Sequence, residues 1–114
     1  MTEQRKSPRK VANEVLEVLD QITGAQLGKV VNISAEGLML LSNEQINVGS
    51  VYQLDLKLTR LIKKHSRISF GAEAVWSTEA AQPKSYWTGF RMIDISEDSI
   101  LAIDNLIFDW HILD

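Results

Sequence analysis

The sequence predicts an all-β domain of about six strands, closed by one C-terminal helix. Three observations predict it. SVYQLDLKLTR and RISFGAEAVWS alternate apolar and polar residues with the period of a half-buried strand. QLGKVVNIS and GLMLLS are β-branched or aliphatic runs separated only by Ala35-Glu36, a hairpin spacing. After Ser96, the apolar residues change to helical spacing.

Taken in order, the chain opens on EQRKSPRK. Pro8 disfavours α conformation at Ser7, so this segment reads as a loop or extended arm. In VANEVLEVLDQI, the spacing of Val11, Val15, Val18 and Ile22 favours a helix, widened by Leu16 and Leu19. A twisted strand folding back at Thr23-Gly24 is the other reading. In the next strands Tyr52, Leu54, Leu56 and Leu58 share one face, and so do Ile68, Phe70, Ala72, Ala74 and Trp76. KSYWTGFRMID is a further strand with Tyr86, Phe90 and Met92 on one side. Turn signals fall at Thr23-Gly24, Asn47 to Ser50 and Pro83. Ser96 is placed to cap the last helix, and Glu97 and Asp98 complement the positive end of its dipole. Its stripe of Ile100, Leu101, Ile103, Leu106, Ile107 and Trp110 reads as a lid over an open barrel end.

Composition narrows the function. At 114 residues, with 45% hydrophobic and 24% charged residues, the chain makes one globular domain with a real core. The absence of cysteine excludes disulfides, thiol nucleophiles and Cys-ligated zinc. No apolar run is long enough for a membrane span and the N-terminus is charged, so the expectation is a cytoplasmic protein without membrane insertion. The net charge of −3 argues against general DNA or RNA binding, which needs a broad positive field. Yet Arg5, Lys6, Arg9 and Lys10 crowd the start, and Arg60, Lys63, Lys64 and Arg67 form a second basic group. His65 and His111 have no carboxylate or nucleophile partner in sequence and no metal-ligand spacing occurs, so the protein is read as a non-enzyme without metal or cofactor.

Two short stretches carry chemistry. Arg5 and Arg9 offer planar forks that grip phosphate oxygens or the O6/N7 edge of guanine, although a basic terminus is more often a solvated tail. In NISAEG, strand alternation points Asn32 and Ser34 outward together and Ile33 inward. Gly37 is then needed for a positive φ or a close ligand approach. The ordinary alternative is a Ser turn capping a hairpin.

Together, R-x-x-x-R at Arg5 and Arg9 and N-x-S-x-x-G at Asn32, Ser34 and Gly37 resemble the double signature of PilZ domains, bacterial receptors for cyclic di-guanylate (c-di-GMP). The AVW and WTGFRM strands and the helix after DISEDS extend the resemblance over nearly the whole chain. It implies a six-stranded antiparallel β-barrel of PilZ type and makes VANEVLEVLDQI its first strand. Residues 1–12 become a flexible basic arm, and residues 13–114 the barrel with a helix over about 96–110. It further implies that Arg5, Arg9, Asn32, Ser34 and Gly37 bind c-di-GMP, with Lys6, Lys10 and Trp76 as accessory residues. The arm would order on binding and signal to an unidentified downstream protein. Gln4 stands where many members double the first arginine, and Asn32 offers guanine one carbonyl oxygen where a carboxylate offers two. The competing expectation is an adaptor of the same fold that binds no nucleotide and uses the RLIKKHSR loop or the acidic helix.

Overall fold

The computed structural model describes residues 9–113. Seven strands and one helix follow in order: β1 (Lys10–Val11), β2 (Glu17–Asp20), β3 (Gln26–Ser34), β4 (Gly37–Ser42), β5 (Val51–Ile62), β6 (His65–Glu79), β7 (Tyr86–Asp94) and α1 (Glu97–Leu113). All pairings are antiparallel. β2 lies between β3 and β5, β6 between β5 and β7, and β4 between β7 and β3. Strands β2 to β7 therefore close into a six-stranded barrel, as expected. The two-residue β1 is an addition beside β3.

The segment expected to be a continuous first strand is broken. Lys10 and Val11 pair with Ile33 and Asn32, whereas Glu17 and Val18 pair with Lys29 and Gly28. The two registers are out of step, and residues 12–16 bulge between them, held by Ala12 N–H to the Val31 carbonyl and Val30 N–H to the Leu16 carbonyl. The bulge explains why the spacing mimics a helix. Val11, Val15 and Ile22 are exposed, while Leu16 and Val18 are buried at strand spacing. The arm expected over residues 1–12 likewise ends in a paired strand, and its first eight residues lie outside the described ones.

The barrel is filled by the residues that alternation predicts: Leu54 and Leu56 from β5, Ile68, Phe70, Ala72 and Ala74 from β6, and Phe90 from β7. Val18, Ile33, Leu38 and Leu40 complete the wall, and Tyr52 packs edge-on against Phe90 with ring centroids 6.0 Å apart. Trp76 departs from its expected face. Ala74 pairs with Phe90 but Trp76 pairs with Gly89, so one extra residue on β6, at Val75, turns the indole outward.

Helix α1 packs on β3, β5 and β6. Ser96 caps it, its Oγ accepting the Ser99 N–H at 3.1 Å, and the Ser99 hydroxyl donates to the Ser69 carbonyl, pinning the helix start to β6. Ala102, Ile103, Leu106 and Trp110 form the buried stripe. Leu101, expected in it, is exposed.

Two hairpins turn in two residues. Ser34 pairs with Gly37 across Ala35-Glu36, and Ile62 pairs with His65 across Lys63-Lys64. Lys63 (φ 48°) and Lys64 (φ 70°) both have left-handed backbones, the pattern of a type I′ turn that favours Asn-Gly. Holding a lysine there costs about 1 kcal/mol relative to a residue at ease in that region.

Candidate functional site

The outer wall of the barrel across β3, β4, β7 and β6 is organised by register into two neighbouring rows. In one, Ser34 faces Gly37, Gly37 faces Arg91 and Arg91 faces Glu73. In the other, Val11 faces Asn32, Asn32 faces Met39, Met39 faces Gly89 and Gly89 faces Trp76. Directly opposed residues in a sheet point to the same face. Each row thus presents its side chains together on the outside.

Strand β1 brings Arg9 to the end of the first row. A Cβ added at Gly37 would lie 3.0 Å from an Arg9 guanidinium nitrogen and 2.5 Å from the Phe90 carbonyl oxygen. Gly37 has no positive φ among the recorded left-handed residues. What requires the missing side chain is close approach: β7 backbone on one side and the arginine on the other. Gly89 plays the same part in the second row, where an added Cβ would fall 2.1 Å from Trp76 Nε1. The indole lies directly over that glycine and is 39% exposed.

The structure places Arg9, Ser34 and Gly37 in the first row, and Asn32 and Trp76 in the neighbouring one. Asn32 Oδ1 is buried and accepts no hydrogen bond among the described residues. A buried acceptor left in that state costs free energy unless a donor reaches it. Ser34 sits in the outer row, as expected, but is not accessible there. It is fully buried, and its Oγ accepts the Glu36 N–H at 3.2 Å, closing the turn. Its hydroxyl proton meets a guest only if the surrounding groups move. Lys10 pairs with the buried Ile33 and so alternates to the face opposite Arg9. Arg5 and Lys6 lie outside the described residues.

Sequence reasoning missed Arg91, its ion pair with Glu73, and the seat that Gly89 gives Trp76. The signal was present in WTGFRM: alternating with Thr88, Phe90 and Met92 are Trp87, Gly89 and Arg91, which fall on the outer face.

A polar cluster anchors the base of the arm. Glu14, in the bulge, accepts hydrogen bonds from Trp110 Nε1 (2.6 Å), Thr59 Oγ1 (2.7 Å) and Arg60 (3.1 Å), and Arg60 also reaches Asp109 (3.0 Å). Asn13 Nδ2 donates to the Trp110 carbonyl. Burial raises the Glu14 carboxyl, but hydrogen bonds from Trp110, Thr59 and Arg60, together with the Arg60 charge, outweigh it and hold the group below the ordinary carboxylate range. Arg60 is raised in turn by its bonds to Asp109 and Glu14.

A cavity of about 610 Å³ lies away from this wall. It is lined by Gln26 to Lys29, Leu41 to Ile46 and Tyr52, at the far end of the β3–β4 hairpin from its turn. Among the described residues no group of three His, Cys, Asp or Glu could hold a metal, and no helix is long and apolar enough to cross a membrane.

A family model described as the PilZ domain matches residues 3–109. Among solved structures, the Bacillus subtilis inhibitor of motility (MotI/DgrA) aligns at a TM-score of 0.78 and 17% identity, over 99% of this chain and 53% of that one. The PilZ domain of YcgR from Escherichia coli, solved with c-di-GMP, aligns at 0.75 and 14% identity, over 97% of this chain and 94% of that one. The K. pneumonia MrkH complex with c-di-GMP aligns at 0.71 and 13% identity, over 98% and 54%. The chain thus spans about half the length of MotI and MrkH and nearly all of the isolated YcgR domain. No curated protein sequence matches it.

Proposed function

This chain belongs to the PilZ domain family, and from that membership we propose that it is a non-catalytic cytoplasmic receptor for c-di-GMP. The carrying observation is the buried Asn32 Oδ1, without a partner among the described residues, on the same outer wall as the Arg9 guanidinium. A guanine edge supplies N–H donors to the first, and phosphate or the O6/N7 edge supplies acceptors to the second. Support also comes from structural neighbours of the same fold that were solved with this nucleotide.

In this reading Arg5 and Arg9 hold the phosphates and one guanine, while Asn32 and Ser34 read the other guanine. Gly37 keeps the backbone approachable, and Trp76 offers a stacking face. Lys6 and Lys10 add positive field. Ser34 becomes available once the guest displaces what covers it. The level of c-di-GMP is relayed to a protein partner by ordering of the arm, whose entropic cost is recovered from charge-assisted hydrogen bonds.

Titration calorimetry with c-di-GMP tests this. Saturable heat with c-di-GMP and none with GTP supports the assignment; equal responses mean unspecific anion capture. The burial of Ser34, with its Oγ already engaged in the turn, favours the second reading, an adaptor that binds no nucleotide. Absence of heat and of any thermal shift would establish that reading instead.

A further inference from the structure

We propose that the β5–β6 hairpin end is a docking finger for an acidic segment of a partner protein, with Leu61 as its apolar anchor and Lys63 and Lys64 as its charged tip. This goes beyond nucleotide binding, which uses a different wall of the barrel.

Between Lys57 and Arg67 the chain carries five Lys or Arg residues, one His and no acidic residue, in a protein whose net charge is −3. Two of the five are engaged: Arg60 by Glu14 and Asp109, Arg67 by Asp55. Lys57, Lys63 and Lys64 are exposed and make no ion pair among the described residues. The tip lysines also occupy the two left-handed positions of a turn that Asn-Gly would make without strain. Folding alone gives no reason to put lysine at both. Strain kept at an exposed tip, in return for two charges at the outermost point of a hairpin, points to use of those charges. Beside them Leu61 is 69% exposed, while its neighbour Ile62 is buried at 3%. One open aliphatic side chain, two residues from a pair of exposed lysines, is an anchor beside a charged rim on a small scale.

Charge complementarity selects the partner. A nucleic-acid strand needs a long basic track and stacking rings, and this segment has neither: no aromatic lies between Lys57 and Arg67. An anionic membrane would attract the few lysines weakly while repelling the acidic bulk of the chain. A short acidic protein segment with an apolar residue matches the finger in both size and sign.

The test is a nuclear magnetic resonance titration of the isotope-labelled full chain with a synthetic peptide of alternating glutamate and leucine. The same peptide with lysine in place of glutamate, phosphatidylglycerol vesicles and a single-stranded oligonucleotide serve as comparisons, with and without c-di-GMP. The expected result is salt-sensitive amide shifts confined to Lys57 to Arg67, from the acidic peptide alone. Lys63→Asn combined with Lys64→Gly should weaken that binding about tenfold while raising the melting temperature by about 4 °C or more. Leu61→Ser, at an exposed position, provides a second reading of the anchor and should weaken peptide binding too. Shifts centred on Arg9, undiminished binding in both variants, a lower melting temperature in the Asn-Gly variant, or tighter binding of vesicles or oligonucleotide would each overturn the proposal. Because c-di-GMP is titrated separately, loss of one binding event is distinguishable from loss of the other.

Discussion

The two short hairpin turns of this barrel are built on opposite logic. At Ala35-Glu36 the backbone stays out of the left-handed region and the turn is closed by a side chain, the Ser34 hydroxyl accepting the Glu36 amide. Its flanks are small or polar, and a glycine lets an arginine settle against the strand. At Lys63-Lys64 the turn is made by the backbone, at a cost in strain, and both lysines and the nearby Leu61 are exposed. The first turn makes room and the second projects charge. Equal loop length therefore says little about purpose; which atoms satisfy the turn says more.

The strongest way to break this comparison is to remove the guest's grip at the first turn. Arg9→Ala should raise the Kd for c-di-GMP by about 100-fold or more, the scale of lost charge-assisted bonds, with little change in melting temperature. Calorimetry and a thermal scan on the same sample check both halves. If affinity is retained, the first turn is no host. Gly37→Ala comes next: the added methyl would meet the Phe90 carbonyl at 2.5 Å, so we expect about 1–3 kcal/mol of lost stability in urea unfolding, along with weakened binding. Ser34→Ala removes both the turn's hydrogen bond and the proposed guanine contact. Loss of about 1–2 kcal/mol in each of stability and binding would separate it from Arg9→Ala, which affects binding alone.

The smallest effect sharpens the comparison from outside, at the Glu14 cluster that ties the arm's base to α1. The folded-state value of this carboxyl is depressed, so its contribution is fully present above the unfolded value and is lost as pH falls through the folded one. Glu14→Gln should cost about 1 kcal/mol at neutral pH. The gap between variant and wild type should close on acidification through the carboxylate range, as melting temperatures measured against pH would reveal. A gap independent of pH would mean that shape, not charge, holds the cluster.

Most of the barrel was legible because alternation survives wherever strands pair without interruption. Leu54, Leu56, Ile68, Phe70 and Phe90 all point where the pattern sends them. Failures occur where an extra residue resets the phase. The bulge at Val75 flips Trp76 outward, and the longer bulge after Val11 imitates helical spacing. Neither leaves a mark in local composition, since both depend on the partner strand. At the site, Arg9 lies against Gly37, but the burial of Ser34 was hidden.

The closing of the sheet has a kinetic corollary. The ring is complete only when β4 meets β7, as Gly37 does Arg91, and β2 meets β5, two pairings between strands distant in sequence. Their closure should set a folding time on the millisecond-to-second scale typical of non-local β topologies. Once shut, the ring of β2 to β7 pairs each of these strands on both sides, which limits edge-to-edge addition of a neighbouring copy along the described wall.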